Sequence, residues 1–186
     1  CCHNPTGVDP TPEQWTTIID IVRARGLVPF LDIAYQGFAE GIAEDGAVVR
    51  RFAATPGPLL IASSFSKSFS LYGERIGALT IVGTSRDEAA RILSQVKRLV
   101  RANYSNPPSF GGQIVATVLT TPELLALWEE ELGSMRERIK VMRSHLVAAL
   151  HAKLPGRDFR YMLTQRGMFS YSGLSKDAVA RLRSEF

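Results

Sequence analysis

The chain has 186 residues, 45% of them hydrophobic and 22% charged, with a net charge of +4. That is an ordinary balance for a globular protein, with length for one sizeable core and part of a second. No apolar run approaches the ~20 residues of a membrane helix. The positive charges alternate with acids, as in "WEEELGSMRERIKVMRSHL" at 128–146, which reads as a solvated amphipathic face. Neither a membrane nor a nucleic acid is an expected partner.

In chain order, "CCHNPTG" reads as a strand end entering a turn, with chain expected before it. Cys1 and Cys2 are adjacent and no third cysteine exists, so a disulfide framework is not expected and a reducing cytoplasm fits. With His3 they offer three ligands where structural zinc uses four, so no metal site is expected. "TPEQ" at 11–14 places a Thr cap, a first-turn Pro and a Gln three after the cap, which predicts a helix to about Arg25 ended by Gly26. "LVPFLDIA" (27–34), "PLLIASS" (58–64) and "IGALTIVG" (76–83) read as buried strands, and "EDGAVVRRFAA" as a helix between the first two. This alternation predicts an α/β fold with a mostly parallel sheet flanked by helices on both faces.

From Ser85 the pattern becomes helical. Helices are predicted over "SRDEAARILSQVKRLVRANY", over about 111–120, and over 122–154. The last is long enough to bridge domains. Beyond it, "FRYML" and "GMFSYSG" read as strands of a smaller C-terminal α/β unit, and "SKDAVARLRSEF" as a helix. The expected division is 1–121 for the later half of a large domain, 122–154 for the interdomain helix and 155–186 for part of a small domain.

Ligands of open parallel sheets bind outside the carboxyl ends of the strands. Asn4, Asp32 with Tyr35, and the cluster Ser63–Lys67 all fall at predicted strand ends. Asp32 alone is equally well a cap or turn former. A buried carboxylate needs a partner, which the protonated ring nitrogen of a heterocycle would supply. Lys67 alone is most simply a surface lysine, but a desolvated amine can bond a carbonyl. The nearby serines and Arg75 could grip a phosphate, for which the planar guanidinium fork is suited. Two rival readings stand beside this. Ser64-Phe65-Ser66-Lys67 fits S-x-x-K, with Ser64 as nucleophile and Lys67 as base of a serine acyl-transferring enzyme. "YSN" at 104–106 resembles that group's second element, but its K-T-G is absent. The helix around Lys97, Arg98 and Arg101 could alternatively meet nucleic acid.

The stretches "CCHNPTG-DP--EQW", "DIAYQGF", "SSFSKSFSLYGERIG", "RANYSNPP" and "RGMFSYSGL" carry a resemblance across nearly the whole chain. It resembles the class I pyridoxal-phosphate aminotransferases of the aspartate and aromatic subgroup, which have fold type I. "VPFLDIAYQGF", "FSKSFSLYGERIG" and "QRGMFSYSGLS" look more like the bacterial aromatic (tyrosine) enzymes. The resemblance implies transamination between an aromatic or dicarboxylic amino acid and a 2-oxo acid such as 2-oxoglutarate. It implies pyridoxal 5'-phosphate held as a Schiff base on Lys67, which also moves the proton. Asp32 would pair with the pyridine nitrogen, and Tyr35 and Asn4 with the ring's phenolic oxygen. Ser64, Ser66 and Arg75 would hold the phosphate. Arg101 would reach, across a homodimer interface, the distal carboxylate of a substrate in the partner's site. Asn4-Pro5 would be cis. The family's glycine-rich phosphate loop, ring-stacking aromatic residue and partner-donated tyrosine match nothing here and would precede Cys1. Its α-carboxylate arginine would follow Phe186. The chain therefore reads as an internal-to-C-terminal piece, and a piece that folds but catalyses nothing is the alternative.

Overall fold

The computed structural model of the chain describes residues 2–186. Cys1, and with it the cysteine-pair and Cys1–Cys2–His3 metal readings, lies outside the described residues.

Helix α1 (Pro12–Ala24) forms where the capping box predicts it. The Thr11 hydroxyl accepts the Gln14 N–H, and the Gln14 side chain accepts the Thr11 N–H at 2.8 Å. Both otherwise orphaned donors of the first turn are thereby satisfied. Gly26, at φ +62°, turns the chain into strand β1 (Phe30–Ile33). The predicted single helix "EDGAVVRRFAA" breaks at Gly46 into α2 (Ile42–Asp45) and α3 (Ala47–Ala53). Strands β2 (Leu59–Ser64) and β3 (Gly77–Val82) follow. Ile19 of α1, Val48 and Phe52 of α3, Ile33, Leu59 and Ile61 form one core between helices and sheet.

The sheet order is β1-β2-β3. β1 and β2 are parallel, with Asp32 opposite Ala62, but β2 and β3 are antiparallel, with Ser64 opposite Gly77. The expected α/β sheet flanked by helices is present, and its strands are mixed rather than mostly parallel. The physical reason is the 65–76 connection. It contains turns but no crossover helix, and without a crossover the chain returns antiparallel. Four of the six β3 residues are exposed.

Three helices then run in succession: α4 (Arg86–Asn103), α5 (Ser109–Thr120) and α6 (Pro122–Lys153). Thr121 is extended, at φ −106° and ψ 111°, because Pro122 disfavours the helical region for the residue before it. α5 and α6 accordingly meet at 98°. No single helix among the described residues is long and apolar enough to cross a membrane. Leu132 of α6 joins Cys2, Tyr35, Phe38 and Ala39 in a second core.

The two strands expected after α6 do not form. Arg160–Thr164 is a 3₁₀ helix, residues 168–174 are irregular, and α7 (Lys176–Glu185) ends the described chain. A strand needs a neighbour for its backbone. Here side chains take that role: Arg143 donates to the carbonyls of Gln165, Gly167 and Phe169, Gln165 to that of Tyr171, and Tyr161 to that of Ser172.

Candidate active site

The carboxyl ends of β1 and β2 lie side by side because the strands are parallel, and this brings the predicted residues together. A cleft of about 930 Å³ is lined by Asn4, Asp32, Tyr35 and Lys67, among others. A smaller neighbouring cavity of about 210 Å³ is lined by Asp32, Ser64, Ser66 and Arg75. Asp32 faces both. It is exposed.

Lys67 sits in a single tight turn directly after β2. The Ser66 N–H donates to Ser64 Oγ at 3.2 Å and the Ser70 N–H to the Lys67 carbonyl at 3.2 Å. This turn is tied to α6. The Trp128 indole N–H donates to the Ser68 carbonyl at 2.7 Å, and its ring stacks on Phe69 with centroids 4.6 Å apart. Lys67 Nζ lies over the face of Tyr35, 4.7 Å from the ring centroid. An ammonium is attracted there by the ring's negative face.

Tyr35 is buried. Its hydroxyl accepts from Asn4 Nδ2 at 3.4 Å, and its ring meets the edge of Phe169 at 5.4 Å and 89°. The peptide Asn4-Pro5 is cis, as the resemblance implies. The loop after Tyr35 is held by Asp45, which is buried. Its carboxylate accepts the N–H groups of Gly37, Ala39 and Glu40 at 2.8, 3.0 and 3.1 Å. Arg136 of α6 adds a bond to the Gly37 carbonyl at 3.0 Å.

Ser66 is buried and Arg75 exposed. Arg75 has φ +52° and its guanidinium donates to the Tyr72 carbonyl at 2.8 Å. Arg101 stands apart. It lies in the last turn of α4, is exposed, donates to the Ser105 hydroxyl and lines neither cavity.

Three residues of this neighbourhood were not singled out from the sequence. Arg143 lies within the stretch read as a solvated face, yet it is only 8% exposed, and burial pulls its guanidinium below its usual range. Asp45 and Trp128 are the others. The signal available was spacing: Trp128, Leu132, Arg136, Ile139 and Arg143 recur every three or four residues and so share one face of α6. Cys2, also buried, has its thiol pushed up to about 12, by burial first and then by the carboxylates of Asp45 and Asp9.

The residues present fit pyridoxal phosphate by their donor chemistry. An amine, a phenol, an amide and a carboxylate surround one cleft. Three serines and a guanidinium line the adjoining cavity, with the carboxylate shared by the two.

Comparison with known proteins identifies the family. The family model "Aminotransferase class I and II" matches residues 1–186. An aspartate aminotransferase of Pseudomonas aeruginosa is 60% identical over 186 residues, which is 100% of this chain and 47% of that protein. A tyrosine aminotransferase of Klebsiella pneumoniae is 53% identical over the same span, again 47% of its length. Among solved structures, the aromatic-amino-acid aminotransferase from Burkholderia pseudomallei, covalently bound to pyridoxal phosphate, superposes with a TM-score of 0.97 at 61% identity. A mitochondrial aspartate aminotransferase from Trypanosoma brucei does so at 0.96 and 44%. All of this chain is covered in both, against 47% and 49% of those chains. The chain spans about half the length of the curated relatives it matches. From its first residue to its last, it belongs to the class I and II aminotransferase family.

Proposed function

We infer that the chain supplies the lysine-bearing half of a pyridoxal-phosphate aminotransferase site. That site moves an amino group between an aromatic or dicarboxylic L-amino acid and a 2-oxo acid such as 2-oxoglutarate. The observation that carries the reading is the position of Asp32, facing both the Lys67–Tyr35 cleft and the Ser64–Ser66–Arg75 cavity. A ring with an amine-reactive carbon at one end and a phosphate at another needs such a pair of adjoining chambers.

In this reading Lys67 Nζ holds the cofactor's aldehyde carbon, and Asp32 the ring nitrogen. Tyr35 and Asn4, already in hydrogen-bond contact, hold the ring's phenolic oxygen. Arg75, with Ser64 and Ser66, holds the phosphate, where a charged fork gives the stronger bonds. When bound, pyridoxal phosphate supplies an electron sink for charge at the substrate's α-carbon. Once displaced by the substrate amine, Lys67 takes the proton from that carbon as a general base. Such transfer is worth typically ~10²–10⁴-fold in rate. Tyr35 beneath it and the Trp128 anchor behind it limit where Nζ can go, and orientation of this kind lowers the barrier further.

Arg101, exposed and away from these cavities, is assigned to the distal carboxylate of a substrate bound by a second copy, in a homodimer. A cytoplasmic location belongs to the same reading, supported by the cysteine usage. So does the division at 122–154, supported by α6 being one unbroken helix. Relatives named for aspartate and for aromatic amino acids match at 60% and 53% identity, so both substrate classes are kept.

The test is to incubate the purified chain with pyridoxal phosphate, reduce with borohydride and map the modified peptide. The expected result is one pyridoxyl group on Lys67. Modification spread over surface lysines, or confined to another one, overturns the assignment.

A further inference from the structure

Arg143 presents a physical puzzle. It is a buried cation, and no carboxylate pairs with it among the described residues. Burying a charge without a counter-ion is costly unless hydrogen bonds replace the lost water. Here they do, and they all go to one short segment. Nε donates to Ser170 Oγ at 2.9 Å and Nη1 to the Gln165 carbonyl at 2.8 Å. Nη2 donates to the carbonyls of Gly167 at 2.5 Å and Phe169 at 3.3 Å. Only a planar fork of donors can serve three carbonyls and a hydroxyl at once, so lysine is not an equivalent.

The segment so clamped touches the site from behind. The Arg166 N–H donates to the Gly7 carbonyl at 2.7 Å, which ties it to the turn that carries Asn4. The approach is close at two glycines. A Cβ on Gly7 would lie 2.5 Å from the Phe169 carbonyl oxygen, and one on Gly167 would lie 2.5 Å from Cys2 Cβ. Both have positive φ, +70° and +76°. Phe169 packs at right angles to Tyr35, with ring centroids 5.4 Å apart, and Lys67 Nζ lies 4.7 Å from the centroid of the same Tyr35 ring.

We propose that Arg143 is a positioning residue for the Lys67–Tyr35 pair, acting through the clamped segment Gln165–Ser170 and the ring of Phe169. The proposal rests on the reading of Lys67 and Tyr35 as the cofactor site. Arg143 touches neither residue. It sets the distance at which Tyr35 is backed, and so where the Tyr35 hydroxyl and the Lys67 amine stand relative to each other.

The experiment compares the chain with its Arg143→Lys, Phe169→Leu and doubly substituted variants. The first readout needs no cofactor and is amide hydrogen exchange. Arg143→Lys is expected to speed exchange about tenfold or more in 165–171, and also to speed it in 34–37 around Tyr35. The second is the pH midpoint of the visible absorbance of pyridoxal phosphate attached at Lys67. Arg143→Lys and Phe169→Leu are each expected to shift it in the same direction. The double variant is expected to shift it no further than the larger single change, because both act through one contact. Faster exchange confined to 165–171, with an unmoved midpoint, would make Arg143 a local clamp and overturn the proposal. If Arg143→Lys does not fold, Phe169→Leu leaves the clamp intact and decides alone: an unmoved midpoint overturns the link to Tyr35. If the unsubstituted chain takes up no pyridoxal phosphate at Lys67, the absorbance is read on an intact enzyme that contains this chain, and failure there overturns the cofactor reading. Exchange at 34–37 then still decides whether Arg143 controls Tyr35.

Discussion

At the strand ends Asp32 and Arg75 are exposed and Lys67 is half-buried, all facing open cavities. Beneath them Asp45 and Arg143 are buried, the first with three backbone N–H donors and the second with three carbonyls and a hydroxyl. The same charge types serve opposite ends. Below, backbone dipoles take the place of water, and the charge becomes part of the scaffold. Above, charges are left facing space, where a ligand can take that place. A charged group with few internal partners beside a cavity is a better pointer to chemistry than a charge that is merely buried.

Four substitutions break or sharpen this contrast, and the largest effect belongs to the rim. In an intact enzyme that contains this chain, Lys67→Ala is expected to abolish borohydride-stable attachment of pyridoxal phosphate and to slow α-proton transfer by ~10²–10⁴-fold, the usual worth of a general base. Its melting temperature is expected to stay close to that of the parent chain. A fall in melting temperature as large as that from a substitution in the base would erase the distinction.

Asp45→Asn tests the base. An amide keeps the shape but turns an N–H group towards backbone donors that a carboxylate had accepted. Charge-assisted bonds are lost and a buried donor is left facing donors, for a cost of about 2–3 kcal/mol. The check is denaturant unfolding, read from the midpoint at constant slope. A change under ~0.5 kcal/mol would place Asp45 among the surface charges.

Asp32→Asn returns to the rim with a smaller effect. Stability is expected to be unchanged, because the group is exposed. Pyridoxal phosphate binding at Lys67 is expected to weaken by ~10–100-fold, the value of one charge-assisted hydrogen bond. Equilibrium titration of the cofactor against both proteins measures this, and equal affinities would remove Asp32 from the site.

The smallest effect is a pH slope. The Cys2 thiol is held at about 12, well above the usual thiol value, by burial and the nearby carboxylates of Asp45 and Asp9. Between the ordinary thiol value and about 12 the unfolded chain loses that proton while the folded chain keeps it. Stability is therefore full below the unfolded value and falls as pH rises through this window, by at most ~1.4 kcal/mol per pH unit. Cys2→Ala is expected to flatten that part of the curve relative to the parent chain. Parallel curves from pH 9 to 11, measured by thermal unfolding, would contradict the burial of Cys2.

Local signals carried much of the fold. The Thr11–Gln14 capping box, the Gly26 stop and the three apolar runs ending at Ile33, Ser64 and Val82 are each decided within a few residues. The sequence therefore determined α1, the three strands and the long helices, and with them the clustering of Asp32, Tyr35 and Lys67 at strand ends. Tertiary structure decided whatever depends on a distant partner. β3 runs antiparallel because the 65–76 connection lacks a crossover helix. Residues 159–173 are not strands because side chains from α6 and from the segment itself occupy their backbone carbonyls. Arg143 is buried although it lies in a stretch that reads as a solvated face. A side chain's solvation is set by what packs over it, and here that is a loop more than twenty residues away along the chain.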